Sequence, residues 1–379
     1  MSPGRQRFSG RAAIVGVGSS AFSRDSGTTV MDLAATAVSE ALADAGLAPG
    51  DVDGILTYHE NDSVGAWAIA RALGAGALRW HNDITGGGSQ CASILADAAM
   101  AIDNGLATRV VVVRALNGRS GTRMGQIATL PDDDARQFTL PFGLAGPPHR
   151  FALTCRIFLE RAGLDEDDLA AVAVHARACA SRNPRALRRE PMTVADHHAS
   201  RTIASPLRLL DCCQESDGAC ALVVTATADR PTTRPAAAIH AVARVAGPGA
   251  GSLDTEEDLG AIFSSYLAPD LYANAGMTPA DVELAVLYDP YTFVVLAQLA
   301  DLGFCAAGEA GDFVREERLP LNPHGGLLSE AHVHGLNGVV EAVRQLRGEA
   351  GPRQHGSPSV ALCTGFGGTM GSAAVLTAA

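Results

Sequence analysis

Aromatic and charged residues are scarce in this chain of 379 residues, since aromatic side chains make up 5% of the sequence and charged ones 18%. Basic residues are outnumbered as well: 29 Lys and Arg stand against 41 Asp and Glu, for a formal net charge of -12. This balance opposes general binding to a nucleic-acid backbone, so an anionic ligand needs a local basic pocket. The hydrophobic fraction of 47% excludes disorder as the main state.

Paired-cysteine motifs and long apolar runs are also lacking. The eight cysteines are scattered, with no CxxC pair, and the polar start MSPGRQRFSG does not resemble an export signal. These features predict reduced thiols in a cytoplasmic protein. The longest apolar runs, such as the one at 110–113, end at Arg or Gly well before the roughly 20 residues that a membrane helix needs. We therefore expect no membrane segment.

What the chain does contain is an alternation of short apolar runs with apolar residues at helical spacing. The runs predict buried strands, and the helical spacing predicts amphipathic helices. The predicted strands cover residues 12–17, 51–58, 110–113, 284–287, 359–363 and 372–376, and the predicted helices cover 30–45, 66–73, 92–103, 150–162 and 339–346. Such an alternation is typical of an α/β protein with a parallel sheet.

An internal repeat is the most informative pattern. Residues 43–58 read ADAGLAPGDVDGILTY and residues 273–288 read ANAGMTPADVELAVLY, with Ala, Ala, Gly, Pro, Asp, Val and Tyr identical. A looser copy at 161–174, RAGLDEDDLAAVAV, leaves open the alternative that all three copies share only the local pattern of α/β chains. We favour duplication, which predicts two structurally equivalent halves.

Composition changes mark an insertion and a boundary. Residues 117–206 are rich in proline, arginine and polar residues, which predicts a large insertion that caps the core. The segment DRPTTRPA at 229–236 has the composition of a linker. The predicted units are therefore residues 1–232, which include the insertion at about 117–206, and residues 233–379.

Cys91 is a candidate nucleophile. It follows the sequence GGGSQ at 86–90 and directly precedes the predicted helix at 92–103. A thiol at a helix N-terminus has a lowered pKa and is a strong nucleophile. The alternative is a small buried residue in the first helical turn, which is where free cysteines are commonly found.

A second glycine-rich segment follows the predicted strand that ends at Cys363. Gly365 and Gly367 come directly after it and precede the last predicted strand. Backbone N–H groups in such a turn stabilise a developing oxyanion, and Cys363 would lie at its mouth. A plain hairpin turn explains the same glycines equally well.

Histidines concentrate in the segment NPHGGLLSEAHVHGLNG at 322–338, which contains His324, His332 and His334. Because histidine titrates near neutral pH, such a cluster suits proton transfer. The rival readings are a metal site, for which the matching carboxylate or cysteine spacing is missing, and histidines bonded to backbone groups. We expect no metal here.

Tyr288 and Asp289 follow the predicted strand at 284–287, and Tyr291 comes two residues later. Ligands of parallel sheets gather at this end of the strands. Tyrosines are equally common as half-buried core residues, so spacing alone does not favour catalysis here.

Together these segments resemble the thiolase-like superfamily and its sterol-carrier-protein thiolase branch. They are most similar to the lipid-transfer-protein-type aldolases that cleave steroid side chains as coenzyme A thioesters. The resemblance covers nearly the whole chain and is carried by GVGSSAFS, DITGGGS, YDPYTFVVLAQLADLGFCAAGE, NPHGGLLSEAHVHGLNGVVEAVRQLRG and CTGFGG. It implies an α/β thiolase fold of two duplicated βαβαβαββ halves in a five-layer αβαβα arrangement, with an inserted loop domain.

The resemblance also assigns individual positions. Counting back without gaps from residues 103–105 places the nucleophilic cysteine of true thiolases at Gly88, which implies that the nucleophile is missing. Tyr288 stands where the HDCF-type motif has His, His332 keeps the His of the Gly-His-Pro motif, and Cys363 keeps the Cys of C-x-G-x-G. The aldolase-like relatives commonly have a second Tyr where this chain has His332.

The activity implied by this resemblance is carbon–carbon lysis, namely retro-aldol cleavage of a β-hydroxyacyl-CoA thioester such as a steroid side chain. Tyr288 is expected to exchange the hydroxyl proton, His332 and the glycine-rich turn to hold the thioester oxygen, and Cys363 to protonate the α-carbon. The open alternatives are a thiolase or acyltransferase that uses Cys91, a non-catalytic acyl-CoA-binding subunit, and a polyketide-type condensing role.

Substrate and partner contacts complete these expectations. Arg188 and Arg189, in the basic run at 182–201, are candidates for the phosphates of coenzyme A, against the alternative of solvated surface charge. Coenzyme A enters only as part of the substrate, and no separate cofactor is expected. The resemblance implies a homodimer and a partner protein with an OB-fold and a zinc ribbon.

Overall fold

The computed structural model describes residues 11–121, 123, 136–231, 234–251 and 253–379. The predicted domain boundary between residues 232 and 233 and the polar start at 1–10 lie outside these described residues, as does part of the predicted insertion.

The secondary structure of the described residues alternates between strands and helices. The strands are β1 Ala12–Ser19, β2 Gly54–His59, β3 Trp80–Thr85, β4 Arg109–Asn117, β5 Thr202–Ala204, β6 Leu207–Arg208, β7 Asp217–Ala226, β8 Ala237–Ala246, β9 Leu284–Val286, β10 Val360–Gly367 and β11 Met370–Ala378. The helices are α1 Val30–Ala45, α2 Ala66–Leu73, α3 Ser93–Asp103, α4 Pro147–Ala162, α5 Glu166–Ser181, α6 Val194–Ala199, α7 Phe263–Ala275, α8 Thr292–Asp301, α9 Ala310–Arg315, α10 Gly326–Ser329 and α11 Leu336–Leu346.

A mixed sheet runs through the described part of the chain in the order β3-β2-β4-β7-β1-β8-β11-β10-β9. In its first half, β2 lies parallel to β3 and β4, whereas β7 is antiparallel to β4 and β1. The second half mirrors this order, because β10 is parallel to β9 and antiparallel to β11, which pairs with β8. The first strands of the two halves, β1 and β8, pair at the centre of the sheet.

The repeated sequence occupies the same place in both halves, which confirms the predicted duplication. Residues 43–58 and 273–288 each span the end of an outer helix, a 3-10 turn and the start of a parallel strand. Gly46 and Gly276 end α1 and α7 in the left-handed conformation, at φ 70° and 65°. The looser copy at 161–174 leads into helix α5 instead of a strand, so it shares only the local pattern.

Helices pack on both faces of the sheet, some against one half and some against both halves. Helices α3 and α11 contact strands of both halves, whereas α1 and α2 pack on the first half and α7 packs on the second. Strand β4 shows how the two sides differ: Val110 and Val112 join the large central core, and Val111 and Val113 join the core beneath α1. This layered arrangement of two equivalent halves confirms the predicted fold class.

The insertion between β4 and β7 contains α4, α5, α6 and the short pair β5 and β6. The predicted helix at 150–162 is α4, which begins three residues earlier. Strand β3 was not predicted, because its sequence WHNDIT is polar and its side chains lie at the exposed edge of the sheet.

Two further properties concern the whole described chain. None of its described helices has both the length and the apolar character that crossing a bilayer requires. All eight cysteines lie among the described residues, and each is a free thiol.

Candidate active site

Tyr288 lies two residues beyond β9, where neighbouring side chains hold its backbone. Its N–H donates to Thr364 Oγ1 at 2.8 Å, and its carbonyl accepts from Gln298 Nε2 at 2.9 Å. The Thr364 hydroxyl in turn donates to Gln298 Oε1 at 2.6 Å. These bonds tie strand β10 and helix α8 to the residue, so the direction of the Tyr288 side chain is fixed by buried polar groups.

The Tyr288 hydroxyl meets His332, with 2.9 Å between Tyr288 Oη and His332 Nε2. Both side chains are buried, and their rings pack edge to face with centroids 6.1 Å apart. The backbone N–H of His332 donates to Ser216 Oγ at 3.0 Å, which anchors the histidine segment against the start of β7. The structure therefore brings together Tyr288, which was expected to exchange the hydroxyl proton, and His332, which was expected to hold the thioester oxygen.

Burial controls the protonation of this pair. It raises the pKa of Tyr288 well above its ordinary value, with a further increase from Cys213. It lowers the pKa of His332 to about 4, and the nearby Arg114 guanidinium adds to the decrease. At neutral pH the site consequently holds a neutral phenol hydrogen-bonded to a neutral imidazole.

Gly88 makes room for this phenol. The 3-10 turn Gly88–Gln90 passes directly over Tyr288, and a Cβ on Gly88 would overlap the Tyr288 hydroxyl and ring. Gly88 is also the position to which the thiolase nucleophile maps. The Tyr288 phenol therefore occupies the space that a side chain at residue 88 would fill.

The expected activation of Cys91 is wrong. Cys91 is fully buried, and its Sγ donates to the Thr364 carbonyl at 3.3 Å. Helix α3 begins only at Ser93, and burial raises the pKa of the Cys91 thiol instead of lowering it. Desolvation of the thiolate therefore outweighs the effect of the helix N-terminus, and the structure does not support Cys91 as an activated nucleophile.

The glycine-rich turn was also predicted incorrectly. Gly365 and Gly367 are residues of strand β10, paired with β11, and the chain turns only after them. A Cβ on Gly365 would lie 2.5 Å from the Gly88 carbonyl oxygen, so this glycine permits the 3-10 turn to approach the strand. The segment is a closely packed hairpin, which the sequence left open as the alternative, and a contact of these glycines with substrate stays a prediction. Cys363, also in β10, is buried and burial raises its pKa to about 12.

Arg114 completes the site and was not found from the sequence, whereas His334 was named there only as a member of the histidine cluster. Arg114 is fully buried on β4 and donates to His334 Nδ1 from Nε at 3.2 Å and from a terminal nitrogen at 2.8 Å. It also forms an ion pair of 2.5 Å with Asp62. The His334 ring lies 5.0 Å from the His332 ring. The detectable signal is an arginine inside an otherwise apolar strand, since a buried charge requires a partner.

The two predicted coenzyme A ligands lie in different surroundings. Arg188 is half-buried, and its backbone N–H donates to the carbonyl of Ser329 at 3.0 Å. Ser329 lies three residues before His332 in the chain. Burial lowers the pKa of Arg188, and the positive charges of Arg177 and Arg24 lower it further. Arg189 is exposed and reaches the Ser181 carbonyl at 3.4 Å. Positive charge therefore collects around Arg188, close to the His332 segment.

His324, the third histidine of the segment, lines a small cavity together with Tyr288, Asp289 and Cys363. Burial raises the pKa of Asp289 to about 8, although its carboxylate accepts from the Leu327 N–H at 2.7 Å. Within the described ranges, no three His, Cys, Asp or Glu side chains gather as a metal site would require.

The fold and this site define a thiolase-like α/β protein whose nucleophile position holds a glycine. Residues 252–378 match the family described as thiolase C-terminal domain-like. The chain is 43% identical to the 17-hydroxy-3-oxo-4-pregnene-20-carboxyl-CoA lyase of Mycobacterium tuberculosis, over 95% of this chain and 97% of that protein. It is 40% identical to a steroid side-chain-cleaving aldolase of Thermomonospora curvata, over 97% of this chain and 98% of that protein.

A solved structure described as an Ltp2-ChsH2(DUF35) aldolase matches the fold with a TM-score of 0.91 and 40% identity. The match covers 98% of this chain and 99% of that one. The chain therefore belongs to the thiolase-like superfamily, and within it to the family of the steroid side-chain-cleaving aldolases. The resemblance inferred from its motifs is confirmed.

Proposed function

We propose that this protein is a carbon–carbon lyase that cleaves a β-hydroxyacyl-CoA thioester of a steroid side chain by a retro-aldol reaction. The observation that carries the proposal is the Tyr288 phenol, which fills the space beside Gly88 and bonds to His332 at 2.9 Å. A site with this arrangement has an acid–base pair at the position of the nucleophile. It suits proton transfer to and from the substrate, and the position of the thiolase nucleophile offers no thiol for acyl transfer.

The first step is removal of the proton from the β-hydroxyl. That proton passes to Tyr288 Oη while the phenolic proton passes to His332 Nε2, so the pair acts as a relay and no free phenolate forms. In this step the ring proton of His332 sits on Nδ1, which faces Cys213 Sγ at 3.9 Å. The relay avoids a free phenolate, which burial of Tyr288 disfavours by raising its pKa.

Bond cleavage follows from loss of this proton. The β-oxygen becomes a carbonyl, the Cα–Cβ bond breaks, and its electron pair moves into the thioester as an enolate. Protonated His332 is a strong acid because its pKa is lowered to about 4, so it returns the proton through Tyr288 to the α-carbon. Cys363 stays a predicted alternative donor, since its thiol remains protonated at neutral pH. The products are a ketone and a shortened acyl-CoA.

The positive cluster beside the site supports a coenzyme A ester as the substrate. No ion pair among the described residues joins Arg24 or Arg188 to a carboxylate, so their charge is available to phosphate groups. The names of the two relatives, a carboxyl-CoA lyase and a steroid side-chain-cleaving aldolase, support the same class of substrate. Arg189 stays a predicted contact at the edge of this cluster. The chemistry requires no cofactor besides the coenzyme A of the substrate.

Two partners belong to the proposal. The matching aldolase structure is described with a DUF35 protein, ChsH2, which supports an OB-fold and zinc-ribbon partner for this chain as well. A homodimer is supported by strand β3, which is one of the two outer strands of the described sheet and has largely exposed side chains. Nearby Trp67 is 66% exposed and packs edge to face on His81. We also propose a cytoplasmic location.

The test is a product assay with 17-hydroxy-3-oxo-4-pregnene-20-carboxyl-CoA, with the chain alone and with a DUF35 partner. Cleavage of the bond between the hydroxyl-bearing carbon and the α-carbon gives a 17-ketosteroid and propionyl-CoA in equal amounts. The 17-deoxy ester is the control substrate, since it lacks the proton that starts the reaction. Conversion of both esters, or of neither with the partner present, would contradict the proposed reaction.

A further inference from the structure

The buried guanidinium of Arg114 is the least expected group near the site. Arg114 belongs to β4 and faces the central core together with Val110 and Val112. A charge in this position is costly unless all its donors are satisfied. Its partners are the Asp62 carboxylate, the Ala115 carbonyl at 2.7 Å and the Nδ1 atom of His334.

These contacts determine the tautomer of His334. A guanidinium has five N–H donors and no acceptor, and two of its nitrogens lie 3.2 and 2.8 Å from His334 Nδ1. Nδ1 must therefore present its lone pair to Arg114. A neutral His334 then carries its proton on Nε2. The same positive charge lowers the pKa of His334 together with burial, so the ring is neutral at neutral pH.

The His334 backbone is held as firmly as the ring. Its φ of 44° lies in the left-handed region, which a non-glycine residue rarely adopts without compensating contacts. Tyr58 supplies one such contact, because its hydroxyl donates to the His334 carbonyl at 2.9 Å. A strained residue that is fixed through both its carbonyl and its side chain is typical of a functional position.

The free edge of the His334 ring points toward the reaction site. Its Cε1 atom lies 3.3 Å from the point where a Cβ on Gly87 would be, one residue before Gly88, and Glu60 Oε1 lies 3.0 Å from the same point. The other histidine, His332, is occupied through Nε2 by the Tyr288 hydroxyl. No hydrogen bond among the described residues uses Nε2 of His334, so its N–H is free for substrate.

We propose that His334 is a catalytic residue that donates its Nε2–H to the thioester oxygen as the enolate forms, and that Arg114 is the positioning residue that fixes this donor. The inference rests on the proposed lyase function and divides the work between the two histidines: His332 exchanges the proton with Tyr288, and His334 stabilises the oxyanion. A neutral imidazole can donate without giving up its proton, which suits a group that must stay a donor throughout the reaction.

The tautomer is tested without any turnover. In wild-type protein labelled with ¹⁵N-histidine, the His334 resonances are assigned by their loss in His334→Gln. We expect an unprotonated Nδ1 and a protonated Nε2 from pH 5 to pH 8. In Arg114→Lys, which loses the planar fork, we expect shifts between those of the two tautomers. A proton on Nδ1 in the wild type, or a ring that titrates within this range, would overturn the inference even if the lyase assay succeeds.

The catalytic role is tested by kinetics with the same steroid ester. His334→Phe keeps a ring but lacks the donor, and loss of one oxyanion donor lowers kcat by about 100- to 1,000-fold with KM nearly unchanged. His334→Gln can present a side-chain N–H and should recover part of this loss. His240→Gln is the control, because His240 on β8 bonds only the distant Ala275 carbonyl, and its kcat should match the wild type.

Each outcome has a distinct meaning. Folded His334→Phe with unchanged kcat would overturn the catalytic role, and an equal loss in His334→Gln and His334→Phe would contradict donation by an N–H group. If no ester is cleaved by the wild type, the proposed function fails, while the NMR result still decides whether Arg114 fixes the tautomer.

Discussion

The phenol of Tyr288 occupies the space that a side chain at Gly88 would fill. The two residues belong to different halves of the fold, and their complementarity explains why the nucleophile position has no side chain. Where a nucleophilic thiol would attack the thioester, this chain places a hydroxyl bonded to His332. Relative to a true thiolase, the missing thiol at residue 88 and the phenol at residue 288 depend on each other, because both side chains would need the same space.

A Cβ at residue 88 should therefore disable the site. Gly88→Ala forces the buried Tyr288 ring away from His332, and overpacking of this kind costs about 1–3 kcal/mol of stability. We expect turnover of the steroid ester to fall at least as far as in Tyr288→Phe. Gly50→Ala is the matched control, because nothing lies within 4 Å of a Cβ at Gly50. Wild-type turnover in folded Gly88→Ala would show that the close fit is irrelevant.

Removal of the Tyr288 hydroxyl tests the relay. Tyr288→Phe keeps the ring in place but breaks the bond to His332, so turnover should fall by about 10²- to 10⁴-fold, with little change in the far-ultraviolet circular dichroism spectrum. Tyr272→Phe is the control, since that hydroxyl donates to the Leu302 carbonyl and makes no contact with Tyr288 or His332. If both variants turn over equally fast, Tyr288 takes no part in the reaction.

The low pKa of His332 has a consequence for stability. Its pKa of about 4 in the folded protein lies below its ordinary value of 6.5, so unfolding takes up a proton between these values. The free energy of unfolding should therefore decrease as the pH falls from 6.5 toward 4. Urea titrations at pH 7 and pH 5 should show a smaller decrease for His332→Gln than for the wild type. An equal decrease would mean that His332 is not buried in its neutral form.

Much of the fold could be predicted from the sequence because its signals are local. Thr29 caps α1 through its side chain and Gly46 ends it, and these two residues predict the helix at 30–45 without tertiary information. The polar edge strand β3 could not be predicted, since it is defined by pairing to β2 and not by its own hydrophobicity.

The site was predicted only in part for the same reason. Tyr288 and His332 were identified by resemblance to motifs, but the bond between them depends on tertiary packing. Arg114 and His334 are 220 residues apart, and no spacing rule connects them. The prediction for Cys91 failed because the dipole of a helix N-terminus is visible in sequence, whereas the burial that outweighs it is not.

Arg188 provides a test of coenzyme A recognition. Arg188→Ala should raise the KM for the coenzyme A ester by about 10-fold, as expected from loss of a charge-assisted hydrogen bond, and leave kcat unchanged. With the corresponding pantetheine thioester, which lacks the nucleotide phosphates, wild type and variant should have the same KM. Arg71→Ala, at the exposed end of α2, is the control. A KM that rises equally for both thioesters would place Arg188 away from the phosphates.

The central claim is that an enolate forms at this site without acyl transfer to a thiol, and reaction in D₂O tests it most directly. Retro-aldol cleavage should give propionyl-CoA with one deuterium at the α-carbon, while the mass of the intact protein stays unchanged during turnover. A protein carrying the acyl fragment on Cys91, together with product that contains no deuterium, would contradict the account.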